Sequence, residues 1–288
     1  MKDYYKMNII NILIKVLIII HLPTQKSIKL LRKLNRYETE ISMKIYGRKK
    51  VQNIINDAFI NKPSTLIVNE VNTPFNNSFP FSAYTNYNIT IIWNYQLTDC
   101  SYMFSGLSNI LEIDLSKFDL SQVTNISYMF YNCEELKIID LNNSNTTLIK
   151  DMSYLFYNCK ALASLNLSFF VTSSVKNMEY MFYYCRKLTN LNLSNFETSK
   201  VVNMRYMFYY CNSLKNLSIS SFDTSSVTDM DSMFYYCNSL TSLNLINFKT
   251  PSLLNMANMF YHCDYLQELI ISNFDTSLVT NMSRLFDN

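Results

Sequence analysis

The sequence predicts an α/β fold: a solenoid in which a short parallel strand and a short helix recur every 26 residues, behind a small N-terminal β cap. Three features of the chain point to it. Six cysteines stand at 133, 159, 185, 211, 237 and 263, always 26 apart. Phe104, Phe130, Phe156, Phe182, Phe208, Phe234, Phe260 and Phe286 keep the same interval. Longer stretches recur with them, as MRYMFYYCNSLKNLSISSFDTSSV from Met204 is followed by MDSMFYYCNSLTSLNLINFKTPSL from Met230. A repeat of this length is one supersecondary unit that cannot bury its apolar face alone, so each copy must stack on its neighbours.

Within each copy the strand comes from L-x-x-L-x-L, as in Leu188, Leu191, Leu193 and Leu240, Leu243, Leu245, the strand pattern of leucine-rich repeats. The last two leucines alternate with polar residues at period two, which reads as a strand too short to persist without a neighbour. The helix comes from Val227, Met230, Met233, Phe234 and Cys237, whose spacing puts them on one face of about three helical turns. One strand and one helix per copy make residues 97–288 a right-handed leucine-rich-repeat solenoid. The link between them, Ser221-Phe222-Asp223-Thr224-Ser225, supplies a core Phe and polar groups able to cap the helix. Asn125, Asp151, Asn177, Asn203, Asp229, Asn255 and Asn281 form one further column, a polar ladder that satisfies turn amides. Two copies depart from the pattern, one at Ser144 and one at Ile246, Lys249 and Pro251, and are expected to be less regular.

The extended motif M-F-x-x-C-x-x-L-x-x-L-x-L-S-x-F-D-T-S-x-V-x-x-M resembles the BspA-like leucine-rich repeat family, in particular its 26-residue surface-protein repeat. The resemblance spans roughly residues 97 to 288. It implies a cell-surface or secreted protein that works in adhesion or protein binding and has no catalytic activity.

Composition narrows the chemistry. With Gly 2 and Pro 5 among 288 residues, no glycine-lined phosphate loop can be built, and turns fall to Asn, Asp and Ser. The two histidines, His21 and His262, are far apart, which removes most hydrolase and metal templates. No cofactor and no metal site is expected. The evenly spaced cysteines read as a column of buried free thiols rather than bridges or a zinc site, because zinc needs converging ligands. Cys100 lies off that register and is expected to be the thiol that differs. Tyrosine pairs such as Tyr209-Tyr210 and Tyr235-Tyr236 have two readings, ladders half covering the core or an aromatic recognition ridge.

The better binding candidate is the strand face, where side chains between the buried leucines point outward: Asn166 and Ser168, then Asn190, Asn192 and Ser194, then Asn216, Ser218 and Ser220, then Asn244. These small neutral groups could donate and accept hydrogen bonds to a protein or glycan, on another cell or in the matrix. A merely solvated sheet face is the competing reading. No charged stripe favours nucleic acid.

The N-terminal third differs in charge. Residues 1–99 hold 13 Lys and Arg against 6 Asp and Glu, while 100–288 hold 12 against 16. Residues 7–22 form an apolar run interrupted by Lys15, the right size for a signal-peptide core, so residues 1–23 read as a signal or membrane-anchor segment. Residues 24–50 read as a basic amphipathic segment with Ile28, Leu31, Leu34 and Ile41 on one side, suited to an anionic membrane surface. Residues 51–96 carry short alternating runs and read as the β cap over the first repeat, with Trp93 at the junction. The sequence stops at Asn288, partway through a copy, so either the chain is a fragment or truncated product or its open end, able to self-associate, pairs with another molecule. Together these readings favour a non-enzymatic surface or secreted protein. An intracellular structural or scaffolding repeat protein is the alternative.

Overall fold

The computed structural model describes residues 38–142 and 145–287. Apolar residues 7–22 and Ser144 therefore lie outside the described residues. The N-terminal part is a mixed sheet that continues into the repeats. Strands β1 (Thr39–Tyr46), β2 (Val51–Asn53), β3 (Thr65–Val68), β4 (Val71–Thr73), β5 (Ser78–Pro80) and β6 (Asn86–Trp93) precede the first repeat strands, β7 (Ile110–Asp114) and β8 (Ile138–Asp140). The six-stranded sheet runs β4-β3-β6-β1-β7-β8. β1 pairs antiparallel with β6, from Thr39 opposite Trp93 to Tyr46 opposite Asn86, and antiparallel with β7 on its other side. β7 and β8 are parallel, so the cap sheet covers the edge of the repeat ladder and leaves no open hydrogen-bonding edge there.

The basic stretch thus contributes a central strand. Residues 39–46 are not one face of an amphipathic helix: Ile41, Met43 and Ile45 alternate inward and are buried, while Lys44 reaches Glu112 at 2.6 Å. Period two, not 3.6, governs Ile41-Met43-Ile45. Trp93 sits at the junction, fully buried, with its ring 6.4 Å from Phe59 and 5.6 Å from Phe118, and its indole N–H donates to the Asn61 carbonyl.

The repeats stack in strict 26-residue register. β9 (Asn190–Asn192) pairs in parallel with β10 (Asn216–Ser218), and β11 (Ser242–Asn244) with β12 (Glu268–Ile270). A second line of parallel bridges runs Asp99, Asn125, Asp151, Asn177, Asn203, Asp229, Asn255, Asn281. One continuous core of Phe, Met, Leu, Val and Cys fills the interior from the cap to Cys263.

The predicted α/β class is overturned. No helix occurs among the described residues, and each copy is short strand, bridge and turn, so the fold is an all-β stack and not a strand-plus-helix leucine-rich-repeat solenoid. Val227, Met230, Met233, Phe234 and Cys237 are buried as expected, but by another route. Within a copy, Met233 N–H donates to the Met230 carbonyl (3.2 Å) and Cys237 N–H to the Phe234 carbonyl (3.1 Å), closing successive tight turns. The alternate amides leave the copy: Met230, Ser232, Phe234 and Tyr236 N–H donate to the carbonyls of Asn255, Ala257, Met259 and Tyr261 at 2.8–3.0 Å. Positive φ at Ser232 (54°) and Tyr236 (57°) breaks any helical run. A helix would satisfy its amides internally and offer nothing to the next copy. Apolar spacing near three fits a chain of turns as well as a helix, and inter-copy hydrogen bonding decides between them.

The copy around Ile246, Lys249 and Pro251 is as regular as the others. Leu245 N–H meets the Ile270 carbonyl at 2.9 Å, and Phe248 N–H closes its turn on Leu245 at 2.9 Å. The substituted side chains are exposed, so the backbone pattern carries no penalty.

Candidate functional site

Equivalent positions stack at 26-residue intervals through the repeats, often with the same residue type, and these columns build its surfaces. The polar column behaves as a set of turn caps. Each Oδ1 accepts the amide two residues ahead, as Asn125 does from Ser127 (2.9 Å), Asp151 from Ser153 (2.8 Å) and Asn203 from Arg205 (3.0 Å). Asp99 extends the column by one copy, capping Ser101 at 2.7 Å. A buried threonine column ties copies together. Thr172 Oγ1 donates to the Glu197 carbonyl at 3.0 Å and accepts from the Glu197 N–H at 2.8 Å, and Thr146 does the same with Val171. Its signal in the sequence was the T of S-x-F-D-T-S, read there only as a cap.

All seven cysteines are free and buried. From Cys133 on, each thiol donates to the carbonyl of a Phe one copy back, as Cys211 does to Phe182 at 3.1 Å and Cys237 to Phe208 at 3.1 Å. Burial pushes the thiols well up, to about 12 at Cys185 and Cys263. Cys100 does not differ in exposure. It occupies the core column of Ile126 and Met152, is fully buried, and burial raises its pKa as well.

Three tyrosine ladders flank one another on the turn side of the stack. Tyr102, Tyr128, Tyr154, Tyr180 and Tyr206 stack with centroids 4.3–4.7 Å apart. Tyr131, Tyr157, Tyr183, Tyr209, Tyr235 and Tyr261 stack at 4.4–4.7 Å. Tyr184, Tyr210 and Tyr236 stack at 4.7 and 4.5 Å and end on His262. Burial between neighbouring rings raises the pKa of Tyr154, Tyr183 and Tyr209. The first and third ladders hold left-handed backbone, with φ of 56–60° at Tyr128, Tyr154, Tyr180, Tyr184 and Tyr210. For a non-glycine residue this costs about 1–2 kcal/mol. Each such residue recovers a similar amount through an inter-copy backbone bond and a stacked ring pair, about 0.5–1.5 kcal/mol for each of the two. Gly106, with φ of 76°, occupies the third ladder's column in the first copy, and Asn132 and Asn158 follow it. Those three residues signalled the left-handed column in the sequence, and the tyrosines after them concealed it.

The expected strand face is strand only in part: Asn190, Asn192, Asn216, Ser218 and Asn244 lie in β9, β10 and β11, whereas Ser168, Ser194 and Ser220 stand in turns and Asn166 lies outside any strand. Asn166, Ser168, Asn190, Asn192, Ser194, Asn216, Ser218, Ser220 and Asn244 are all exposed. The middle of this row is joined by parallel pairing of Asn190 with Asn216 and Asn192 with Ser218. Asn216 Nδ2 donates to Asn190 Oδ1, so these amides form a ladder of their own. Three asparagines are committed to the fold on their oxygen side: Asn166 caps Ser168 N–H (3.1 Å), Asn192 caps Ser194 N–H (3.0 Å) and Asn244 caps Ile246 N–H (3.0 Å). Among the described residues their Nδ2 groups and the hydroxyls of Ser168, Ser194 and Ser218 make no hydrogen bond, and these residues are exposed. The Ser220 carbonyl accepts from Asn247 Nδ2, which ties this position to the next copy.

Comparison with known families bears on this repeat. A family described as "Mycoplasma protein of unknown function, DUF285" matches residues 48–164, 75–190, 131–243 and 236–288. The chain belongs to this family. The overlapping DUF285 matches run from 48 to the last residue, as a repeating unit produces, and they begin within the cap. What is shown is a DUF285 repeat protein, a coarser identity than the BspA-like leucine-rich-repeat resemblance drawn from the motif. No curated protein matches the DUF285 chain.

Proposed function

We propose that this DUF285 protein is a non-catalytic binding protein, at the cell surface or secreted, that mediates adhesion or protein binding through the outward row of its stacked strands. Its partner is a protein or glycan on another cell or in the matrix. The observation that supports this is the row itself: nine exposed, small, neutral groups recur at one-copy intervals on a backbone held by inter-copy hydrogen bonds. A rigid, repeated array suits an extended partner, because little side-chain freedom is lost on binding. The resemblance of the 26-residue motif to BspA-like surface repeats supports the location and the adhesive role.

The test has two parts. The full chain, expressed with a C-terminal tag, is probed on intact cells with external protease, and cell attachment is compared with that of Ser194→Arg/Ser218→Arg, two exposed positions on the row. External cleavage with attachment lost in the variant supports the proposal. A protease-protected chain overturns it in favour of intracellular scaffolding, and attachment unaffected by the variant removes the strand row as the binding face.

A further inference from the structure

The third ladder is interrupted, and the interruption makes a recess. Its column reads Gly106, Asn132, Asn158, Tyr184, Tyr210, Tyr236, His262, so the stacked rings start only at Tyr184. Two asparagines stand where two rings would continue the stack. The space they leave, about 440 Å³, is bounded by Tyr131, Tyr157 and Tyr183 of the neighbouring ladder and by Tyr184, Lys160 and Arg186. It is an open depression with a mainly polar lining, suited to holding a ligand against the surface rather than enclosing it.

The polar groups in the recess are ordered. Asn158 Nδ2 donates to Asn132 Oδ1 at 2.8 Å and to Glu134 Oε1 at 3.0 Å, which fixes both amides and leaves Asn158 Oδ1 and Asn132 Nδ2 open. Lys160 is held by the same carboxylate at 3.1 Å. Arg186 differs. Its guanidinium carbon lies 4.5 Å from the Tyr184 ring centre and 5.8 Å from that of Tyr210, and no carboxylate pairs with it among the described residues. A guanidinium held against aromatic rings, with its fork unpaired, is preorganised for a carboxylate. Amides and phenols beside it can donate to and accept from hydroxyl groups. The lining has no Leu, Ile, Val, Met or Phe, so it suits a polyhydroxylated ligand better than an apolar peptide side chain.

We infer that this recess binds a carboxylate-bearing sugar, with the acid on Arg186 and the ring hydroxyls on Asn132, Asn158 and the tyrosine edges. The inference rests on the reading of the stack as a binding protein and places a glycan site on the turn side, away from the strand row. Calorimetric titration of the purified full chain with N-acetylneuraminic acid, glucuronic acid and galactose tests it. At least one of the two acids is expected to bind, and neutral galactose about tenfold or more weaker. Arg186→Ala is expected to weaken the acid about tenfold or more while lowering the melting temperature only slightly, since the side chain is exposed and loses only its contacts with the Tyr184 and Tyr210 rings. Asn158→Tyr extends the ladder into the recess on backbone whose φ of 60° equals that of Tyr184, and is expected to abolish binding while the protein melts no lower. Absence of binding by both acids, equal binding of galactose, or binding that survives both variants overturns the inference. Ser194→Arg/Ser218→Arg leaves the recess intact, so sugar binding and cell attachment fail separately if only one reading is wrong.

Discussion

Replacing Phe208 with alanine removes a ring that is fully buried and sandwiched between Phe182 and Phe234, with centroids 5.6 and 5.5 Å away. Its carbonyl also receives the Cys211 N–H and the Cys237 thiol, both at 3.1 Å, so the surrounding backbone is pinned and cannot collapse into the void. Large-to-small substitution of such a Phe costs about 3–5 kcal/mol. Phe286 is the internal control: it belongs to the same column but is 55% exposed and, among the described residues, stacks only on Phe260. Phe286→Ala is expected to cost under about 1 kcal/mol. Urea unfolding followed by far-ultraviolet circular dichroism measures both, with the m-value reporting whether the stack still unfolds as one unit. Equal losses at the two positions, or a loss below about 1 kcal/mol at Phe208, would refute a packed phenylalanine column as the source of stability.

Four further outcomes are expected. Thr172→Val keeps the shape but strips the Glu197 N–H and carbonyl of their shared hydroxyl, and should cost about 1–3 kcal/mol by the same urea assay; a neutral result would mean water replaces the hydroxyl. Asn177→Ala removes the acceptor for Glu179 N–H (3.1 Å) and should cost about 0.5–1.5 kcal/mol, far less than Phe208→Ala. The thiols set an alkaline limit. Their folded pKa values are raised from near 9 to about 12 at Cys185 and Cys263, so the unfolded chain loses these protons first, and stability that is complete below pH 9 falls between pH 9 and 12. Each such thiol removes about 1.4 kcal/mol per pH unit in that window. Melting temperature should therefore drop steeply above pH 9, and a thiol reagent at pH 8 should modify the cysteines only after denaturant is added; rapid labelling of the native protein would contradict their burial.

The division between sequence and structure runs through particular residues. The 26-residue period, the buried Phe and Cys columns, the capping Asn/Asp column, the junctional Trp93 and the outward row from Asn166 to Asn244 were all legible, because burial and capping are properties of residue type at a fixed interval. The backbone between Val227 and Cys237 was not. Apolar spacing there is shared by a helix and by a chain of turns, and the choice rests on amides that find carbonyls 25 residues away, such as Met230 on Asn255. Charge likewise hid the strand at Thr39–Tyr46, whose partners β6 and β7 are distant in sequence. The recess beside Tyr184 required both levels. The change from Asn158 to Tyr184 is written in the chain, but only stacking of successive copies turns it into a step with Arg186 at its edge. By itself the sequence determined which residues are buried and how often, since hydrophobic burial depends on composition and period. The tertiary structure alone decided how the backbone satisfies its hydrogen bonds, since those partners belong to the next copy and no local pattern records them.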